Sequence, residues 1–303
     1  MTGHALQDRI LYATCPVILI LALQIIKEKQ MATIGTVHLR AADIDRLSAF
    51  YTDVIGLKTL RREDATVYLG AGEAELLALT AAPDAKRAPN STGLYHFALL
   101  VPSRYDLARS LRRLADTHTP LQGMSDHLVS EAIYLADPED NGIEIYRDRP
   151  REDWYRDGEF QLGTVAMDVR GVMSELNGQS PEWTGMADGT IMGHIHLHVR
   201  AIPETETFYR DVLAMDIMMN IQSATFMSYE GYHHHVGANI WAGRTPPPPG
   251  ALGLDKYQLN VPNAETLDKI LAQVDRADVA ITEHNGGYLV HDPSHNAVVL
   301  GVG

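Results

Sequence analysis

Two segments of this 303-residue chain are near copies, and they differ at the residues best able to hold a metal. Gly93-Leu94-Tyr95-His96-Phe97, leading into Val101-Pro102, recurs as Gly253-Leu254-Asp255-Lys256-Tyr257, leading into Val261-Pro262. Asp137-Pro138-Glu139-Asp140-Asn141-Gly142-Ile143-Glu144 recurs as Asp292-Pro293-Ser294-His295-Asn296-Ala297-Val298-Val299. One copy carries His96 and Glu144 where the other carries Lys256 and Val299. Imidazole nitrogen and carboxylate oxygen bind divalent first-row ions; an ammonium group and an isopropyl group do not. A duplicated scaffold with one ligand-bearing copy and one stripped copy implies a single metal centre.

The elements that must position these residues repeat as well. Phe50-Tyr51-Thr52-Asp53-Val54-Ile55-Gly56 matches Phe208-Tyr209-Arg210-Asp211-Val212-Leu213-Ala214, and each follows an alternating strand. Thr36–Leu39 has strand periodicity, then Ile44, Leu47, Phe50, Tyr51 and Val54 recur at helical spacing. Alternating runs at Thr66–Leu69 and Glu75–Leu79 complete a first module. A second opens with the strand at His96. Ser103 and Asp106 form a capping box for its helix, whose buried stripe is Leu107, Leu111 and Leu114. Strands at Ala132–Leu135 and Ile143–Tyr146 close it. A third module starts at His194 and a fourth near Tyr257, with Thr245-Pro246-Pro247-Pro248-Pro249-Gly250 between them. The expected architecture is α+β: four βαβββ modules. In sequence order, 32–150 holds two modules, 151–190 is a linker, and 191–303 holds the other two.

A net charge of −14 disfavours nucleic acid and anionic membranes as partners, since both need a basic face. The apolar fraction of 45% is ordinary for a globular protein. One cysteine, Cys15, excludes an internal disulfide framework and suits a cytoplasmic location. The apolar run Val17–Ile26 is shorter than the roughly 20 residues that span a bilayer, and no small-residue cleavage site follows it. Residues 1–30 are therefore expected to lie outside the fold, with a dispensable docking helix as the alternative. A homo-oligomer is left open.

The module order, with FYxDVxG after the first helix and DPxxNxIE at a module's end, resembles the vicinal oxygen chelate superfamily of glyoxalases and extradiol ring-cleaving dioxygenases. The resemblance covers residues 32–303. It implies that modules pair into two cup-shaped half-barrels, with metal ligands on the first strand of a module and on a late strand. Transferred to this chain, it selects His96, Glu144 and His194, while Thr36, Lys256 and Val299 fill the stripped positions. These three converge only if module two pairs with three and one with four. His38, two residues beyond Thr36 on the same strand face, could instead complete a site with His96 and Glu144 under sequential pairing.

Three further segments are similar to the catechol 2,3-dioxygenase-like branch. Tyr232-His233-His234-His235-Val236-Gly237-Ala238 resembles an HHxxA stretch and implies His235 as the acid–base residue. Alternation puts His233 and His235 on one face and His234 on the other. Tyr134, ten residues before Glu144, matches an active-site tyrosine, and Asp126-His127-Leu128-Val129-Ser130 resembles a DHxVS segment that makes His127 a third candidate. His196 and His198 share the face of His194 and are expected either as partners behind the ligands or as pocket wall, not as ligands. The function implied is cleavage of a catechol-type or hydroquinone-type aromatic diol by O₂ at Fe(II), or Mn(II). The alternatives are a glyoxalase-like isomerase or transferase and a non-catalytic small-aromatic binding protein.

Overall fold

The computed structural model describes residues 32–179 and 182–303; the expectation for residues 1–30 lies outside them. Module one comprises β1 (Thr33–Ala41), α1 (Ile44–Ala49), β2 (Lys58–Glu63), β3 (Thr66–Ala71) and β4 (Ala74–Ala81). Module two comprises β5 (Gly93–Leu100), α2 (Arg104–Asp116), β6 (Leu121–Asp126), β7 (Ser130–Ala136) and β8 (Gly142–Asp148). The connecting segment carries β9 (Tyr155–Arg156), β10 (Glu159–Phe160), β11 (Val165–Ala166) and α3 (Val169–Ser174). Module three has β12 (Ile191–His198), α4 (Ile202–Glu206), β13 (Asp216–Asn220), β14 (Ala224–Ser228) and β15 (Val236–Asn239). Module four has β16 (Gly253–Val261), α5 (Ala264–Arg276), β17 (Thr282–His284), β18 (Gly287–His291) and β19 (Ala297–Val302).

Spatial grouping does not follow sequence order. One sheet runs β17-β18-β19-β16-β1-β4-β3-β2, and the other runs β11-β6-β7-β8-β5-β12-β15-β14-β13. Each sheet thus takes one module from either side of the connecting segment: four with one, and two with three. In every module the first strand pairs parallel to the last, as β5 does to β8 and β12 to β15. The modules meet at antiparallel seams, β1 with β16 and β5 with β12.

Strand alternation divides labour between the two faces. On β5 and β12, Phe97, Leu99, Ile195 and Leu197 enter a hydrophobic core shared by both sheets, together with Val37, Leu39, Tyr257 and Leu259. The alternate positions carry His96, His194 and His196. The helices cover the core as the capping signals require. Ser103 accepts a hydrogen bond from the Asp106 amide at the start of α2, and Leu107, Leu111 and Leu114 are buried.

The repeated motifs bind modules together across the two sheets. In both FY segments the helix widens to a π turn, over Phe50–Ile55 and Thr207–Val212. The buried Tyr51 hydroxyl donates to Asp137 Oδ2 at 2.7 Å. Asp137 Oδ1 also accepts the amides of Glu139 and Asn141 at 2.8 and 2.9 Å. The second copy repeats the loop around Asp292, whereas Tyr209 bonds mainly to the Tyr257 hydroxyl, at 2.8 Å against 3.4 Å to Asp292. Gly56 ends the first π turn at φ 87°, where an added Cβ would lie 2.5 Å from the Trp183 ring.

Candidate metal centre

The register of the second sheet lines up the site. Tyr134 pairs with Glu144, Glu144 with Ala98, and Ala98 with His194, in one row across β7, β8, β5 and β12. His96 stands one pleat along, opposite His196. Ala98 is fully buried, and its methyl group is small enough for Glu144 and His194 to meet above it. Next to His194, Gly193 leaves the space that the Tyr146 hydroxyl fills; a Cβ there would lie 1.9 Å from that oxygen.

His96, Glu144 and His194 are all buried, and one ligand atom from each falls within 4.8 Å of the other two. Both imidazoles present Nε2 to the same carboxylate oxygen, Glu144 Oε2, each at 3.0 Å. Two ligands about 2.1 Å from one ion at a right angle are about 3 Å apart, so each imidazole and Glu144 are spaced as neighbouring ligands of one ion would be. Burial opposes ionisation of Glu144, but the His194 and His96 contacts outweigh it and hold the carboxyl well below its usual range. Burial also lowers His194 to about 4, leaving a neutral imidazole at pH 7, the form that binds metal. His38 does not join this set. It sits on β1 in the other sheet, opposite Lys256, with its pKa lowered to about 4 by burial and then by that ammonium.

A cavity of about 480 Å³ opens above His96 and Glu144. Tyr134 and His127 both line it, joined by a 2.7 Å bond between the hydroxyl and His127 Nε2. His127 Nδ1 is 2.8 Å from the Gly163 carbonyl, which can only accept. In the neutral ring Nδ1 therefore carries the proton and Nε2 accepts from Tyr134. Gly163 belongs to the connecting segment, which thus supplies part of the cavity wall and fixes a tautomer.

His235 is not where the HHxxA likeness places an acid–base residue. It lies off the cavity, its Nδ1 accepts the Tyr229 amide at 3.2 Å, and burial lowers its pKa to about 3. His234 borders the cavity instead. Strand β15 begins only at Val236, so 233–235 is a bend and period-two alternation does not apply. His233 Nε2 contacts Asp148 Oδ1 at 2.9 Å, and its Nδ1 faces His234 Nδ1 at 2.8 Å. Since the carboxylate only accepts, His233 in its neutral form donates through Nε2 and accepts through Nδ1. His234 must then carry its proton on Nδ1, which leaves a lone pair on Nε2. His196 also lines the cavity, and its buried Nε2 has no partner among the described residues.

Comparison with known proteins agrees with this architecture. The chain is 43% identical over 275 residues to the "Catechol-2,3-dioxygenase" of Bacillus subtilis (strain 168), covering 88% of this chain and 95% of the relative. The Glyoxalase/Bleomycin resistance protein/Dioxygenase superfamily matches residues 33–145. The chain belongs to that superfamily. Among solved structures, a protein of Bacillus subtilis subsp. subtilis str. 168, provisionally named a dioxygenase, superposes with a TM-score of 0.62 at 12% identity, covering 89% of this chain and 85% of that one. Glyoxalase I from Zea mays gives 0.56 at 15% identity, over 90% and 93% of the two chains. These two likenesses speak for the fold. Members of this superfamily that cleave extradiol rings use a metal, and the His-Glu-His group is where this chain gathers metal-binding atoms.

Proposed function

We propose that the protein is an extradiol dioxygenase that opens a catechol-type ring with O₂ at a divalent ion held by His96, Glu144 and His194, with Fe(II) the ion favoured and Mn(II) the substitute. The observation that carries this reading is the convergence of two Nε2 atoms on one carboxylate oxygen beneath a ligand-sized cavity. The name of the 43% identical relative supports it. Two histidines and one carboxylate on one face leave positions for a diol and O₂, where the ion supplies a template and Lewis acidity.

The chain's own residues divide the proton work between two walls. Tyr134 already donates its proton to His127, so its oxygen is free to accept a hydrogen bond from a diol hydroxyl. That relay gives the first diol proton a path toward His127 Nε2. On the other wall, the His234 Nε2 lone pair is the general base, in the role that the sequence likeness assigns to His235. Burial lowers the His234 pKa well below its ordinary value, and Asp148 through His233 holds its orientation. His196 Nε2 offers a further polar contact to a bound ligand. Burial of the ligand set excludes water from the charged oxygens and strengthens each of these contacts.

The test is anaerobic purification with Fe(II) or Mn(II), metal analysis, and O₂ uptake with catechol and hydroquinone. About one ion per chain and O₂ consumption matched to ring-opened product are expected. A metal-loaded protein that turns over neither diol refutes the enzyme reading.

A further inference from the structure

Catechol-type diols differ chiefly in what the ring carries, and the cavity wall away from the ligand set is built for one kind of substituent. Module three contributes Met219, Ile221, Phe226 and Trp241 to the lining, and module two and the connecting segment add Val129 and Leu162. The aromatic contacts run without interruption from the ligand set to the mouth: Tyr95 to His96 at 4.9 Å, then Tyr95 to Trp241 at 5.5 Å. On the same wall Phe226 packs against His196 at 5.7 Å and against His234 at 5.1 Å. At the mouth, Trp241 and Ile221 are 52% and 46% exposed.

Charge is absent from that wall. Among the described residues lining the cavity, no lysine or arginine occurs, and the one carboxylate is Glu144. The remaining polar groups of the lining are hydroxyls, the Gln122 amide and histidines. A net charge of −14 adds repulsion at longer range for any anion approaching the mouth. The volume of about 480 Å³ is in the range that takes drug-sized ligands, so room remains beyond a bare diol ring.

We propose that the cavity selects uncharged diols bearing an apolar ring substituent, which lies between Leu162 and the Phe226–Trp241 wall, and that it rejects diols bearing a carboxylate. The inference rests on the dioxygenase reading and names its substrate class. An alkyl group buried on this wall gains about fourfold in affinity per methylene. A carboxylate in the same place loses its hydration and meets no cation, so it binds at least about tenfold more weakly than hydrogen at that position.

Anaerobic calorimetric titration of the Fe(II)-loaded protein separates binding from turnover. The probes are catechol, 4-propylcatechol and 3-(3,4-dihydroxyphenyl)propanoate, the last two carrying three-carbon side chains that end in a methyl group and a carboxylate. Propylcatechol is expected to bind more than tenfold tighter than catechol, and the propanoate more than tenfold weaker. Ile221→Arg, at an exposed position, should strengthen propanoate binding at least tenfold while weakening that of propylcatechol. If catechol binds but the two substituted diols bind within threefold of each other, the substituent inference is overturned and the dioxygenase reading stands. An unchanged ratio in Ile221→Arg overturns it equally. If catechol itself fails to bind, the functional reading falls and this inference falls with it.

Discussion

Replacing Glu144 with Gln tests the metal centre at its most demanding point. Glu144 Oε2 takes both imidazoles at 3.0 Å, and it is the only negative charge in the set. Gln is isosteric, and whichever amide atom takes the Oε2 place can serve both imidazoles, an oxygen by accepting from both or an NH₂ by donating to both. The metal-free fold should therefore change by no more than about 1 kcal/mol. Metal binding should not survive so well. Changes to outer groups that merely orient ligands cost about 10–100-fold in affinity, so losing the anionic ligand itself should cost at least about 10³-fold. At a metal concentration of about 100 times the wild-type Kd, bound metal stabilises the wild type by about 2.7 kcal/mol; after a 10³-fold loss the same concentration gives less than about 0.1 kcal/mol. For a chain of this size that difference is a metal-dependent Tm rise of roughly 5–10 °C in the wild type and essentially none in the variant. Scanning calorimetry under anaerobic conditions, with and without metal, reads both quantities at once. Ala98→Leu should also remove the metal-dependent rise, because its side chain fills the space in which Glu144 and His194 meet. Lys256→Ala, in the stripped cup, should leave the rise intact. A Glu144→Gln protein that keeps the full shift, or a Lys256→Ala protein that loses it, refutes the assignment.

His234→Ala should retain metal and lose roughly 10²–10⁴ in turnover, the scale of a general acid–base group, while His235→Ala keeps most turnover; steady-state O₂ uptake decides which histidine does the work. Tyr51→Phe removes the donor to buried Asp137, and should cost about 1–3 kcal/mol in a urea melt without changing activity per folded molecule. The metal-free protein should also lose stability in mild acid. His194 and His38 are lowered to about 4 and His235 to about 3, so between pH 6.5 and those values the unfolded chain binds protons that the folded chain does not. Each such histidine makes unfolding easier by about 1.4 kcal/mol per pH unit on descending through that window, and none contributes above it. Stability that stays flat from pH 7 to 5 would show these imidazoles to be solvated.

The site was legible in the sequence as far as strand alternation and repeat comparison reach. A His and a Glu present in one copy and lost from the other mark the ligand-bearing module, and alternation then assigns His96 and Glu144 to the face opposite Phe97 and Ile143. Crossed pairing was legible because a half-filled site would bury histidines and a carboxylate without partners, which is costly. Alternation stops being a guide where the strand stops. The run His233–His235 lies in a bend before β15, so His234 rather than His235 turns to the cavity, and only the backbone path reveals it. The same limit hid Gly163. Nothing in a glycine of a connecting segment signals that its carbonyl fixes the His127 tautomer, since that depends on how the segment crosses the cup. Ala98 carries no signal for the opposite reason: its contribution is the volume it leaves empty between Glu144 and His194. The corresponding place in module four is Gln258, one pleat beyond Lys256, as Ala98 is one pleat beyond His96. Both losses in that cup, the ligand and the space beside it, occur together. With Lys256 and Gln258 in these places the row is filled rather than open, and Lys256 pairs with Asp255 at 2.8 Å.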